Sequence, residues 1–134
     1  MMRTGRCQCG KIRYSSRGET VGLYICHCRE CQKQSASAFG ISLDVLRAGF
    51  AITQGEPVYW TRSIDRGRHL RCAFCANCGS RLWHEADSSS ETLSLKGGSL
   101  DEPLNILNAI HVWTIHKLPG ILIPPNCPQF LEED

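Results

Sequence analysis

The stretch Cys26-His27-Cys28-Arg29-Glu30-Cys31 puts three thiols into six residues, and the rest of the chain is read around it. Two further pairs flank it, Cys7-Gln8-Cys9 and Cys75-Ala76-Asn77-Cys78, so that seven of the nine cysteines lie in Cys-x-Cys or Cys-x-x-Cys clusters. That is the spacing of metal ligands; a disulfide framework more often spreads its cysteines along the chain, and nine is an odd number.

The clusters count two, three and two. Joined across the chain, Cys7, Cys9, Cys75 and Cys78 make a complete four-thiolate set, and Cys26, Cys28 and Cys31 are left one ligand short. Structural zinc is four-coordinate and closed, whereas catalytic zinc keeps three protein ligands and an open position. The expectation is two zinc ions per chain, one holding the fold and one open to chemistry. The triplet could instead be closed by Cys72, Cys127, His27 or a histidine from elsewhere, giving two closed sites and a zinc-scaffolded binding module without turnover. Cys72 and Cys127 read most simply as small buried hydrophobes. His69, His84 and His116 read as surface or hydrogen-bonded residues, and Trp60, Trp83 and Trp113 as core.

At 134 residues the chain is expected to form one domain, residues 1–134, able to bury roughly two thirds of its unfolded surface. The formal charge of +2 is close to neutral and gives no electrostatic argument for a nucleic-acid or membrane partner. Two cysteine pairs joined across a gap also describe a zinc ribbon, but that charge and the extra triplet argue against such a use. MMRTGRCQCG has no apolar stretch that would serve as a signal peptide, and no run approaches the ~20 apolar residues of a membrane span. Thiols kept for metal then imply a reducing cytoplasm.

Short alternating runs separated by Gly and Pro predict a mainly β fold with little helix. Arg6 to Tyr14 reads as a turn and a strand, with Cys7 and Cys9 on one face of the extended chain. Val21 to Cys28 reads as a second strand, and by the same period of two His27 points away from its neighbouring cysteines. Cys31 to Ala38 is polar and reads as a short helix. Further strands are expected at 39–43, 50–53, 58–61, 69–71, 81–85, 92–95 and 110–115, with a hairpin turn at Asp65-Arg66-Gly67 and an irregular Pro-rich tail.

Gly5-x-Cys7-x-Cys9-Gly10-x-Ile12-x-Tyr14, Cys26-His27-Cys28-x-x-Cys31, Phe74-Cys75-x-x-Cys78-Gly79-Ser80 and His111-x-Trp113 together resemble the glutathione-dependent formaldehyde-activating enzymes, a centromere protein V-like family. The resemblance runs over nearly the whole chain. It implies a β-tent fold of short antiparallel sheets held by zinc, a structural zinc on Cys7, Cys9, Cys75 and Cys78, and a catalytic zinc on Cys26, Cys28 and Cys31. That division agrees with the ligand count. The family usually carries a glycine a few residues after the triplet, where this chain reads Gln32-Lys33-Gln34-Ser35-Ala36, and Gln32 stands where a basic residue is common.

Three thiolates leave a zinc site with a net charge near −1, suited less to polarising a carbonyl than to holding an incoming thiol as thiolate. The expected activity is therefore of carbon–sulfur lyase type: reversible addition of a glutathione-like thiol to formaldehyde or a related small electrophile. His27 and His111 are candidate proton donors. Lys33, Arg62 and Arg66 are candidate partners for the substrate's carboxylates.

Overall fold

The computed structural model describes residues 1–133, the side chain of Asp65 excepted. Ten strands and one short helix follow one another: β1 (Met2–Arg6), β2 (Arg13–Arg17), β3 (Thr20–Cys26), α1 (Arg29–Ser35), β4 (Gly40–Leu46), β5 (Phe50–Gln54), β6 (Val58–Ser63), β7 (His69–Phe74), β8 (Arg81–Glu85), β9 (Thr92–Lys96) and β10 (Ile110–Val112). They form a three-stranded sheet in the order β1-β2-β5 and a seven-stranded sheet in the order β10-β3-β4-β9-β8-β7-β6. The fold is mainly β, as the alternation predicts. Pairing is antiparallel except between β10 and β3, which run parallel. No helix among the described residues is long and apolar enough to cross a membrane.

Side chains from both sheets meet in one core. Tyr14 of β2, Leu43 and Val45 of β4, Ala73 of β7, Leu82 and Trp83 of β8, and Leu93 and Leu95 of β9 are all buried there. Trp83 is its hub: the Phe50 ring lies 4.8 Å away, Tyr14 6.1 Å and Tyr59 6.4 Å, all edge-on. The Tyr14 hydroxyl reaches Ser99 Oγ at 2.7 Å, and burial pushes its pKa up to about 12. At the rim of the core the buried Glu85 carboxylate takes ion pairs from Arg47 and Arg71.

Alternation gives the larger sheet a second, polar face. The register sets Tyr24 beside Ser42, Ser42 beside Lys96, Ser94 beside His84, His84 beside Cys72 and Cys72 beside Trp60. Helix α1 lies over this face, and its Glu30 reaches Arg62 of β6 at 3.6 Å. Trp60 is half exposed there rather than part of the core. The last strand is shorter than expected: Trp113 takes a left-handed conformation (φ 56°) and ends it after Val112. The Pro-rich tail returns alongside β10, with a parallel bridge between His111 and Gln129.

Candidate metal centre

Cys7 and Cys9 sit in the tight turn between β1 and β2, not on a strand, because the chain must curl for both sulfurs to face one point. The turn is closed by Gly10 N–H on Cys7 O at 3.1 Å. The turn between β7 and β8 repeats the device, with Gly79 N–H on Cys75 O at 2.8 Å. Gly10 and Gly79 have φ of 79° and 80°, a region that an L side chain enters only with strain. The two turns meet face to face. The sulfurs of Cys7 and Cys9 lie 3.6 Å apart and those of Cys9 and Cys75 3.8 Å, and all four ligand atoms fall within 4.8 Å of one another. Tetrahedral zinc with thiolates at about 2.3 Å requires sulfurs about 3.8 Å apart, so the donor set fits that metal.

Hydrogen bonds at two of the sulfurs favour thiolate. Ile12 N–H donates to Cys7 Sγ at 3.3 Å, and Ser80 Oγ lies 3.3 Å from Cys78 Sγ while accepting from Gln8 N–H. The Ser80 hydroxyl is the main reason that the Cys78 thiol is pushed down to about 5.

The triplet is assembled from three kinds of backbone. Cys26 ends β3, Cys28 is the N-cap of α1 with φ −64° and ψ 156°, and Cys31 lies in the helix's first turn. Cys28 Sγ accepts the Cys31 N–H at 3.3 Å, so one sulfur both caps the helix and joins the cluster. The three sulfurs fall within 4.8 Å of one another, and no other His, Cys, Asp or Glu of the described residues joins them. Crowding polarises the group: hydrogen bonds from Cys26 and then Cys31 push Cys28 down to about 2, and Cys26 is pushed up by the same contacts.

The candidate closers of the triplet are occupied elsewhere. Cys127 Sγ donates to Leu107 O at 2.9 Å, and Cys72 Sγ points to Leu70 O; both residues are buried. His27 is fully buried, and its Nε2 lies 2.9 Å from His111 Nδ1 with the two rings stacked. Burial, then the His111 and Lys117 charges, hold His27 down to about 4, and burial also lowers His111. The two proton-donor candidates are thus brought to each other, with His27 Nδ1 left without a hydrogen-bond partner among the described residues.

Beside α1 opens a cleft of about 740 Å³. Cys7, Cys78 and Gly40 line it, with Arg6, Arg81 and Lys96 in its wall. None of the expected carboxylate partners lines it: Lys33 and Arg66 are exposed, and Arg62 is engaged by Glu30. Lys96 carried a usable signal in the alternation Leu93-Ser94-Leu95-Lys96, which sets it opposite the core leucines. What lies beneath α1 depends on long-range register, which no local pattern encodes.

A family model described as "Glutathione-dependent formaldehyde-activating enzyme" matches residues 2–116. A structural genomics target from Rhodobacter sphaeroides, solved by crystallography, superposes over 94% of this chain and 98% of its own with a TM-score of 0.56 at 15% identity. That likeness is one of fold. No curated protein matches the sequence significantly.

Proposed function

The chain belongs to the glutathione-dependent formaldehyde-activating family, and on that premise we propose that residues 1–134 form one domain of this type that adds a glutathione-like thiol to formaldehyde or a related small electrophile. In this reading Cys7, Cys9, Cys75 and Cys78 hold a structural zinc, and Cys26, Cys28 and Cys31 hold a catalytic one. The single observation that carries it is the difference between the two clusters, four sulfurs against three with no fourth protein donor among the described residues. A zinc on three thiolates supplies an open position that keeps an incoming thiol deprotonated at neutral pH.

The chain's own residues set the geometry. The Cys28 cap and the end of β3 fix where the three sulfurs converge. Gln32 Nε2 donates to His27 O at 2.8 Å and His116 O at 3.0 Å, bracing α1 against the segment after β10. In the reaction the thiol sulfur attacks the aldehyde carbon and forms the C–S bond. The carbonyl π pair moves to oxygen, which takes up the proton the thiol gave up; the reverse reaction breaks the C–S bond. No electrons are gained or lost, and a reducing cytoplasm suits the nine thiols.

Thiols add to formaldehyde unaided, so the test is the rate above that background. Zinc-loaded protein is expected to accelerate adduct exchange with glutathione, measured by NMR exchange spectroscopy, and no excess rate with any thiol would sink the formaldehyde assignment. X-ray absorption tests the non-catalytic module. Three sulfurs and a light atom at the second zinc agree with the enzyme, and four sulfurs at both would favour the module.

A further inference from the structure

Lys96 is the residue on the polar face of the larger sheet that neither the fold nor the thiol chemistry has used. It ends β9 with only 9% of its surface exposed, yet it lines the cleft beside α1. A nearly buried ammonium is costly unless it is paired. Among the described residues no carboxylate pairs with it, and the ionisable groups acting on it are the thiols of Cys31, Cys72 and Cys26 and the guanidinium of Arg81. Lys96 therefore lines the cleft and feels the charge of the thiol triplet.

The other charges of the cleft wall are disposed the same way. Asp101 accepts a hydrogen bond from Thr4 Oγ1 at 2.7 Å. Arg6 spends Nη1 on the Cys7 and Gln8 carbonyls. Arg81 lies over the Trp60 ring at 5.5 Å with no carboxylate partner among the described residues. Lys96 and Arg81, neither with a carboxylate partner among the described residues, thus face a cleft whose one carboxylate, Asp101, holds the Thr4 hydroxyl. Gly40, which lines the cleft, borders the triplet: a Cβ there would lie 3.5 Å from Cys31 Sγ and 3.0 Å from Gln34 Nε2. The volume falls within the range of small-ligand sites, about 300–1,000 Å³.

We propose that this cleft receives the anionic part of the thiol substrate, with Lys96 as the specificity-determining residue that pairs with a substrate carboxylate and Arg81 as a second cation further out. Neutral thiols are then discriminated against at Lys96. The inference rests on the thiol-activating reading above, which places the sulfur end at Cys26, Cys28 and Cys31.

Binding can be tested apart from turnover, with S-methylglutathione, which has no free thiol, and its diethyl ester, which has no carboxylates. Isothermal titration of zinc-loaded protein is expected to show the acid bound about tenfold tighter than the ester, the scale of one charge-assisted hydrogen bond. Lys96→Met should abolish the preference, Lys96→Arg should keep most of it, and Arg81→Met should reduce it. Should Lys96→Met not fold, as judged by circular dichroism, the Arg81→Met and Lys96→Arg arms decide. Equal binding of acid and ester by the wild type would overturn the proposal. So would equal weakening of both ligands by Lys96→Met, which would assign Lys96 to balancing the charge of the thiolates. A clear acid preference in protein that accelerates no thiol reaction would sink the thiol-activating reading and leave the cleft assignment standing.

Discussion

Cys28 shows how much one side chain can be asked to do, since its sulfur caps α1 and also belongs to the triplet. Cys26 carries no such second duty, and it is the place to separate chemistry from folding. Cys26→Ser is expected to lose activity by about 100-fold or more while keeping its melting temperature within a few degrees of wild type. Cys75→Ser removes a buried donor from the closed set and should give protein that is insoluble or unfolded by circular dichroism. Equal damage from the two would mean that both clusters are structural. His84 offers a pH prediction of its own. Burial, reinforced by the Lys96, Arg62 and Arg81 charges, holds its pKa down to about 3, against about 6.5 in an unfolded chain. Between those values the unfolded state binds the extra proton. The stability His84 contributes is therefore complete above about pH 6.5 and is lost as pH falls towards 3. His84→Gln should flatten the dependence of the urea midpoint on pH in that window; an unchanged slope would rule this origin out.

At the scale of elements, α1 closes on a residue that lacks the conformational freedom of glycine. Ala36 closes the helix in a left-handed conformation, φ 51° and ψ 42°, its N–H bonded to Gln32 O and Lys33 O. A non-glycine residue is strained there by roughly 1 kcal/mol, so Ala36→Gly should raise stability by about that amount, or roughly 4 °C in Tm by scanning calorimetry. A fall in Tm would mean that the alanine methyl packs usefully. The strands were legible because one-sided burial writes itself as alternation, and β3, β5, β8 and β9 begin or end within a residue or two of the alternating runs. Two features were not. Cys7 and Cys9 alternate like strand residues, yet N–H to sulfur bonds and a positive φ at Gly10 bend them into a turn. Ile110 to Ile115 alternates too, but Trp113 breaks the strand halfway.

Over the whole molecule, the partition of seven cysteines into four and three could be reached from spacing, since metal ligands come in local pairs. The cleft could not, because Lys96, Arg81 and Gly40 come together only through the order of strands in the larger sheet. The closed set joins positions 66 residues apart and ties the β1–β2 turn to the β7–β8 turn. Four thiolates should retain zinc longer than three. Titration with a zinc chelator is therefore expected to proceed in two stages, with activity lost while circular dichroism is unchanged and then cooperative unfolding. Loss of both signals together would show that the sites empty as one.

The tail strand beside β10 has a consequence for assembly. It covers one margin of the seven-stranded sheet, and β6, with Val58 and Trp60 about half exposed, forms the other. A sheet with two bare margins can add copies without end, as fibres do. A sheet with one can add a single copy, whose own bare margin is used up in the contact. In this sheet the tail hinders strand addition at β10 and leaves β6 as the margin open to it.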